Sequence, residues 1–475
     1  MAISADVLRS YRSIDEKVVD KLLAQEIKNN NKKIVVLDDD PTGVQTVHDI
    51  SVYTGWDADS LREAFAEENN LFYILTNSRG FTEEQTKAAH LEIADAVDKA
   101  AKEASRDYIF ISRSDSTLRG HYPLETRLLK ECYERNTGVK LDGEVLCPFF
   151  KEGGRYTIGN VHYVKYGDEL VPAHETEFAK DKTFGYTAEN LPDYVEEKTA
   201  GEYKAKDVIS ISLENIRSMD FDKIESQLMA AENFNKIVVN AIDYSDIKVF
   251  AVALFRVMNA GKMFMFRTAA ALVKVMGGVP DIPLLTRSDM IVNETENGGI
   301  IVVGSHTAKT TSQLECLKEI TDIEFIELDA NLVSDEESFA NEVDRCLALE
   351  EEYIKSGKTV CCYTSRSLVV ANTGDKEDEL RLSVRISDAV QSLVGRLAVT
   401  PSLVVAKGGI TSSDVGVKAL KVKRATVLGQ IKPGIPVWQT GSESKFPDTP
   451  YVIFPGNVGE ATTLREAVEE LMNKR

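Results

Sequence analysis

Three consecutive aspartates at 38–40 follow an apolar run rich in β-branched residues at 33–37. Holding three carboxylates together costs electrostatic energy, because each negative charge disfavours the ionisation of its neighbours. Pro41 and Gly43 turn the chain just beyond them. In such a position a carboxylate can accept a proton from a substrate hydroxyl or hold a magnesium ion. The alternative is an acidic turn that caps the following helix.

Two further polar segments follow the next two apolar runs. Residues 76–79 (TNSR) come after LFYIL, and residues 112–121 (SRSDSTLRGH) come after YIFI. Arginine binds carboxylates through two parallel hydrogen bonds, and hydroxyl and amide groups suit a small polyhydroxylated acid. Each segment alone could be a polar loop with helix caps. Three such segments after three apolar runs favour one site, because α/β proteins bind ligands at the carboxyl ends of their strands.

Glycine-rich turns indicate a different chemistry in the second half of the chain. Residues 304–306 (GSH), 407–413 (KGGITSS) and 454–459 (FPGNVG) each follow an apolar run. Glycine lets backbone N–H groups approach a phosphate, and a helix N-terminus completes an anion site. None of these turns has the GxxxxGK[ST] or GxGxxG spacing, and each alone could be a plain tight turn. In the first half, Arg155 follows a glycine pair and could equally form a surface ion pair.

Parallel β-strands are the elements that would position these segments. In the first half, apolar runs predict strands at 33–40, 71–79, 108–116, 144–150, 207–213 and 236–243. A second series is predicted at 299–306, 323–328, 359–365, 402–409, 425–431, 435–440 and 451–456. Helical patterns occur between them at 60–70, 82–105 and 380–399. Alternating strands and helices indicate the α/β class.

The length and composition fit two globular domains. The chain has 475 residues, whereas a single core stops growing at roughly 250–300 residues. Glycine, proline and polar residues cluster at 277–298, so we place the boundary there, between domains at 1–280 and 295–475. With 56 basic and 76 acidic residues, the formal net charge is −20. This charge argues against a protein that binds nucleic acid or an anionic membrane.

The sequence suggests neither a structural metal nor export. The six cysteines form no CxxC motif, and no two of the six histidines have the spacing of a zinc site. The cysteines are therefore expected to be small buried thiols in a reducing compartment. The first residues, MAISADVLRSYRSIDEK, lack the apolar core of a signal peptide, and no apolar run approaches the roughly 20 residues of a membrane span. We expect a cytoplasmic protein.

Taken in order, these segments make the chain resemble the four-carbon acid sugar kinase family, formerly a domain of unknown function. The resemblance covers nearly the whole chain, and DDDPTG and DSTLRG are its fairly specific motifs. It rests on VLDDDPTG (36–43), TNSR (76–79), DSTLRG (115–120), EGGR (152–155), GSH (304–306), KGGITSSD (407–414), LG (428–429), PGIPVW (433–438) and FPGNVG (454–459).

The resemblance implies two α/β domains with mainly parallel sheets and an active site in the cleft between them. The N-terminal domain would bind the sugar acid, and the C-terminal domain would bind ATP with Mg²⁺. Family members phosphorylate the 4-hydroxyl of D-threonate, D-erythronate or 2-oxo-tetronates. By the resemblance, Asp39, Asp115 and Arg119 would lie on the substrate side. As our own hypothesis, Asp39 is the base, with Asp115 second, and Arg119 holds the substrate carboxylate. Further substrate-binding residues would be Asp38, Asp40, Asn77, Arg79 and Arg155. The nucleotide side would comprise Ser305, Gly408, Gly409, Ile410, Thr411 and Gly456.

Some questions stay open at this point. The chain is longer than compact members, and we assign the extra length to 1–32 and 155–205. One alternative is an aldolase or dehydrogenase for the same acids, although the missing GxGxxG disfavours a nicotinamide enzyme. Another is a regulatory protein that senses a sugar acid, although a sensor would not need carboxylates at 38–40. The substrate stereochemistry, any metal ligands and the oligomeric state are open, with a homodimer as one option.

Overall fold

The computed structural model describes residues 2–305, 307–366, 376–456 and 458–473. The chain forms two compact units, and both are α/β with mostly parallel strands, which confirms the predicted fold class. The first unit comprises Met1–Gly43 and Gly55–Asp281, and the second comprises Val44–Thr54 and Ile282–Arg475. The short segment Val44–Thr54 therefore belongs to the second unit although the chain on either side belongs to the first. No sequence feature indicated that this segment would belong to the second unit.

Every strand expected from the sequence forms, and most are shorter than expected because the polar residues at their ends lie in loops. The unpredicted strands are short or lie within the region assigned as extra length. In chain order the strands are β1 (Ile3–Ser4), β2 (Lys33–Asp38), β3 (Ile50–Tyr53), β4 (Leu71–Leu75), β5 (Tyr108–Arg113), β6 (Gly143–Cys147), β7 (Arg155–Ile158), β8 (Val161–Tyr166), β9 (Glu169–Pro172), β10 (Ile209–Ile211), β11 (Asn235–Val239), β12 (Phe264–Thr268), β13 (Ile300–Val303), β14 (Ile323–Leu328), β15 (Thr359–Thr364), β16 (Val404–Lys407), β17 (Arg424–Lys432), β18 (Ile435–Thr440) and β19 (Pro450–Phe454).

The helices include the three expected from periodicity. The longest of these, α3, begins at a capping box in which the side chains of Thr82 and Gln85 bond each other's backbone N–H groups. In chain order the helices are α1 (Glu16–Asn29), α2 (Ala58–Ala66), α3 (Glu83–Glu103), α4 (Leu124–Thr137), α5 (Leu191–Lys198), α6 (Leu213–Arg217), α7 (Phe221–Met229), α8 (Tyr244–Asn259), α9 (Ala270–Gly277), α10 (Arg287–Met290), α11 (Ala308–Leu317), α12 (Glu336–Lys355), α13 (Lys376–Gly395), α14 (Gly409–Asp414) and α15 (Thr463–Met472).

The main sheet of the first unit has the strand order β10-β11-β6-β12-β5-β2-β4, and its pairings are parallel. Strands β2, β4 and β5 are buried at every position, as expected for strands covered on both faces. Asp38, the last residue of β2, is in register with Leu75 on one side and Arg113 on the other. The loops that follow these three strands therefore leave the sheet along one edge.

The region assigned as extra length builds a second, antiparallel sheet with the order β1-β9-β8-β7. A hydrophobic cluster joins this region to the main sheet of the unit. Val164 of β8, Phe178 and Tyr194 pack in it together with Leu118, which lies in the loop after β5. The additional residues therefore support one of the polar segments identified from the sequence.

The sheet of the second unit has the order β3-β17-β18-β19-β16-β13-β15-β14. Strands β19, β16, β13, β15 and β14 pair in parallel. The expectation of parallel strands is wrong for β17 and β18, which pair antiparallel with each other and with β3 and β19. Only residues 433–434 connect β17 to β18, and so short a connection joins antiparallel neighbours, whereas parallel strands need a long crossover.

Two further sequence expectations concern side chains and membranes. All six cysteines are free thiols, and all except the partly exposed Cys316 are buried, as predicted. Within the described residues, no helix is long and apolar enough to cross a membrane.

Candidate functional site

The aspartates after β2 are bound by an arginine from the loop after β4. Arg79 donates to the Asp39 carboxylate from Nη2 at 2.6 Å and from Nε at 3.2 Å, and its Nη1 donates to Asp40 Oδ2 at 3.0 Å. The Thr42 backbone N–H and hydroxyl also donate to Asp40 Oδ1, at 2.9 and 2.5 Å. Two of the polar segments identified from the sequence therefore meet, as the register of β2 and β4 requires.

Asp38 is buried beside a different arginine. Arg113, the last residue of β5, donates from Nη1 to Asp38 Oδ1 at 3.2 Å. On the other side, a Cβ added at Gly43 would lie 1.8 Å from Asp38 Oδ2. The turn after the aspartates therefore requires glycine, because the Asp38 carboxylate occupies the space of a side chain.

Burial raises the pKa of two of these aspartates. It raises the pKa of Asp38 to about 7, although Arg113 opposes the shift. Burial also raises the pKa of Asp39, although Arg79 opposes it. Desolvation disfavours the charged carboxylate, so both groups are better proton acceptors than an exposed aspartate.

The loop after β5 carries a separate ion pair. Arg119 Nε donates to Asp115 Oδ2 at 2.8 Å, and the Thr117 hydroxyl donates to the same oxygen. Burial opposes ionisation of Asp115, but Arg119 and Arg79 outweigh it and hold its pKa well below the usual range. Burial likewise opposes ionisation of Asp40, whose pKa Arg79 and Thr42 nevertheless lower. These two aspartates are therefore poor proton acceptors.

Aromatic residues of the additional region fix this loop from outside. The Tyr186 hydroxyl donates to the carbonyl of Thr117 at 3.2 Å, and the Tyr194 hydroxyl donates to the carbonyl of Leu118 at 2.9 Å. Leu118 has a φ of 72°, which an L-residue adopts only when its surroundings hold it there. The loop that carries Asp115 is therefore held in one conformation.

Two arginines share one aromatic ring at this site. The guanidinium carbons of Arg119 and Arg155 lie 5.1 and 5.5 Å from the centre of the Phe178 ring. Burial lowers the pKa of Arg155, although Asp115 opposes the shift. In the described part of the chain, no carboxylate forms an ion pair with Arg155, and its Nε is buried without a hydrogen-bond partner. Its charge is thus available to an anion.

The structure adds residues that the sequence analysis did not select. Arg267 of β12 donates from Nη2 to the carbonyl of Arg119 at 3.0 Å. Gly120, with a φ of 117°, lies between charged groups, since a Cβ there would be 3.3 Å from Asp39 Oδ2, 3.8 Å from Arg267 Nη2 and 4.0 Å from Glu125 Oε2. Arg267 and Glu125 therefore border the same space as Asp39. Arg113 lies within the polar segment at 112–121, but nothing in the sequence marked it as a partner of Asp38.

Asn77 is the remaining predicted residue on this side. It has a φ of 55°, and its Oδ1 is buried without a hydrogen-bond partner among the residues described. Buried polar atoms in native proteins nearly always have a partner, so a ligand that donates a hydrogen bond would satisfy this oxygen.

In the second unit, the turns after β13 and β16 contact each other. Gly408 has a φ of 120°, and a Cβ there would lie 3.3 Å from Thr411 Oγ1 and 3.4 Å from Ser305 Cβ. A Cβ at Gly304 would lie 2.4 Å from Thr411 Oγ1. The predicted residues Ser305, Gly408 and Thr411 are therefore neighbours. His306 and Asn457 of the same motifs lie outside the described residues.

The other predicted residues of this unit border open space. Gly409 begins α14, and the Ile410 side chain is 74% exposed, which is unusual for a large apolar residue. At Gly456 an added Cβ would meet no atom within 4 Å. The backbone N–H of Gly408 donates to the carbonyl of Phe454 at 2.9 Å, so this particular amide is not available to a ligand.

The aspartates do not form a dedicated metal site. Across the described ranges, no cluster of three or more His, Cys, Asp or Glu side chains could hold a metal ion. Arg79 binds Asp39 and Asp40, and Arg119 binds Asp115, so these carboxylates already have cationic partners. The sequence analysis left open that the carboxylates at 38–40 hold a magnesium ion. This arrangement does not fit such a site.

Comparison with known proteins assigns a role to each half of the chain. Residues 34–276 match a family of sugar-binding N-terminal domains, and residues 300–464 match a family of nucleotide-binding C-terminal domains. No curated protein matches the chain.

Two solved structures have the same fold. Haemophilus influenzae protein HI1011, of the family DUF1537, superposes with a TM-score of 0.59 at 18% identity over 92% of this chain and 100% of that one. A Salmonella typhimurium LT2 protein named "putative tRNA synthase" superposes with a TM-score of 0.63 at 14% identity over 92% of this chain and 99% of its own. At these identities the likeness establishes the fold alone.

Proposed function

Since the chain belongs to the four-carbon acid sugar kinase family, we propose that it is an ATP-dependent kinase for a four-carbon sugar acid. The acceptor would be the 4-hydroxyl of threonate, erythronate or a 2-oxo-tetronate. One observation carries the proposal: a buried carboxylate with a raised pKa, Asp39, lies in the same unit as Arg155, a guanidinium without a carboxylate partner in the described chain. A hydroxy acid has two functional groups: a hydroxyl, which must lose its proton in the reaction, and an anionic carboxylate.

Asp39 is the proposed base. Its raised pKa favours acceptance of the hydroxyl proton as the phosphoryl group transfers. Glycine at 120, where a Cβ would lie 3.3 Å from Oδ2, places no side chain against that oxygen. Asp115, the second candidate from the sequence, has a strongly lowered pKa and a fixed partner in Arg119. We therefore assign Asp115 the role of positioning Arg119 rather than accepting a proton.

Arg155 is the proposed partner of the substrate carboxylate. The sequence analysis gave this role to Arg119, but Asp115 already forms an ion pair with that guanidinium. Arg155 lies over the same Phe178 ring, and no described carboxylate forms an ion pair with it. An anion bound there would also relieve the repulsion between the two neighbouring guanidiniums.

The nucleotide would bind at the glycine-rich turns of the second unit. Phosphoryl transfer asks little covalent chemistry of the protein, so positioning and charge neutralisation provide most of the rate. Because no described cluster forms a metal cage, Mg²⁺ is proposed to arrive on the nucleotide phosphates, which are its usual ligands in kinases. The exposed Ile410 and the open space at Gly456 leave room for a ligand.

Thermal unfolding in the presence of ligands tests both binding functions. A ligand at about 100 times its Kd stabilises the folded protein by about 2.7 kcal/mol, so MgADP and the correct sugar acid should each raise Tm. Arg155→Met should abolish the shift from the sugar acid and leave the shift from MgADP intact. Arg62→Met, at an exposed residue of α2, is the matched control and should keep both shifts. A sugar-acid shift without any nucleotide shift would indicate a binding protein and contradict the kinase.

A further inference from the structure

Lys407 is a buried cation beside the proposed nucleotide site. It is the last residue of β16, directly precedes Gly408, and its side chain is 0% exposed. Its Nζ donates to the carbonyl of Pro455 at 2.5 Å and lies 4.5 Å from the centre of the Phe454 ring. In the described ranges no carboxylate forms an ion pair with it. Lysine is rarely buried without a charged partner, because removing an ammonium group from water is unfavourable.

The surroundings of Lys407 add positive charge. Lys309, in the first turn of α11, donates from Nζ to the carbonyl of Gly459 at 3.3 Å. Burial and the charge of Lys309 lower the pKa of Lys407 to about 7. The residues in register with Lys407 on the neighbouring strands, Val303 and Phe454, are uncharged. The two lysine side chains thus bind backbone carbonyls of Pro455 and Gly459, and neither forms an ion pair with a described carboxylate.

An anion bound beside Lys407 would enter from the open space next to the turn at 454–459. The carbonyl that accepts the hydrogen bond from Lys407 belongs to Pro455, and the next residue, Gly456, has no atom within 4 Å of an added Cβ. Lysine has four rotatable side-chain bonds, so Nζ can turn from this carbonyl toward a ligand. The anion would restore the charge balance that the described protein residues do not provide.

We infer that Lys407 binds the phosphate groups of the nucleotide, with Lys309 as its neighbour. This inference rests on the proposed function, because it names a residue of the same nucleotide site. It adds a side chain to the backbone N–H groups that the sequence analysis expected at the glycine-rich turns, of which the amide of Gly408 is bonded to Phe454. A purely structural role, in which Lys407 only fastens the turn through Pro455, is the competing explanation.

Isothermal titration calorimetry of ADP and adenosine distinguishes the two explanations. Adenosine lacks phosphates, so only the preference for ADP over adenosine reports on a phosphate contact. Lys407→Met should raise the Kd for ADP by about 10- to 100-fold, as expected for loss of a hydrogen bond to a charged group, and leave the Kd for adenosine within about threefold. Lys407→Gln should behave in the same way, although its amide can still donate to Pro455. Lys355→Met, at an exposed residue of α12, should leave both values unchanged.

Each outcome decides the question. If Lys407→Met and Lys407→Gln keep the full preference for ADP, Lys407 does not bind phosphate, whereas the kinase proposal stands. If the unmodified protein binds neither ligand, the proposed function fails and this inference fails with it. If neither variant folds, proton uptake on binding to the unmodified protein at pH 8 is compared for the two ligands. Greater uptake with ADP supports a Lys407 that becomes charged beside phosphate, and equal uptake overturns it.

Discussion

Asp39→Asn is expected to lower kcat by about 10²–10⁴-fold, the usual contribution of a general base. Asparagine keeps the shape of the side chain and can still accept a hydrogen bond from Arg79, but it cannot take the proton of the acceptor hydroxyl. The KM for the sugar acid should stay the same or fall, because a negative charge near an anionic substrate is removed. Steady-state rates of ADP release, with acid and ATP varied in turn, measure both quantities.

Asp40→Asn is the matched control for this prediction. Arg79 binds Asp40 as well as Asp39, so both substitutions disturb the same guanidinium. The pKa of Asp40 is lowered by Arg79 and Thr42 despite burial, which makes it a poor base, and its loss should affect kcat far less. Equal falls in kcat for the two variants would mean that Asp39 acts only by holding Arg79.

Gly43→Ala is expected to reduce activity by more than about 10²-fold and to destabilise the protein by about 1–3 kcal/mol, the usual range for overpacking a buried site. The new Cβ would lie 1.8 Å from Asp38 Oδ2 and 2.1 Å from its Cγ, so either the carboxylate or the turn must move. Movement of Asp38 would break its hydrogen bond with Arg113 and displace the adjacent Asp39. Urea unfolding and kcat, measured on the same preparation, test the two effects.

Gly80→Ala serves as the control, because a Cβ there meets no atom within 4 Å although the residue adjoins Arg79. It should change neither stability nor activity by more than a small amount. If Gly43→Ala has the same Tm and kcat as Gly80→Ala, the Asp38 carboxylate does not need its observed position.

The edge of the first sheet was predictable from local sequence. Apolar runs end at Asp38, Leu75 and Arg113, and the register of the parallel strands brings these three residues side by side. A polar segment directly after a buried strand can therefore be placed before its partners are known. For this reason the contact of Arg79 with Asp39 agrees with the sequence analysis.

The partners of buried arginines were not predictable in the same way. Arg113 and Asp38 are 75 residues apart, and nothing in the polar segment at 112–121 marked Arg113 as a partner of Asp38. Arg267 lies in a short run that the sequence analysis did not identify as a strand. Asp115 forms an ion pair with Arg119 and would compete with a substrate for it. That ion pair could not be predicted, because an i,i+4 spacing in a loop does not bring two side chains together.

The sequence also did not indicate that Val44–Thr54 belongs to the second unit, and the reason is related. Its strand, β3, is only four residues long and pairs with β17, in which Arg424 is in register with Tyr53. Strand pairing across some 370 positions depends on tertiary packing rather than on local pattern.

The central claim is phosphoryl transfer from ATP to a sugar acid, and phosphorus NMR of the complete reaction tests it most directly. The unmodified protein is incubated with MgATP and, separately, D-threonate, D-erythronate and a 2-oxo-tetronate. With at least one acid we expect one ADP and one phosphate monoester for each acid consumed, and we expect the rate to collapse in Asp39→Asn. ADP accompanied only by inorganic phosphate, or no ADP with any acid of the series, would contradict the claim.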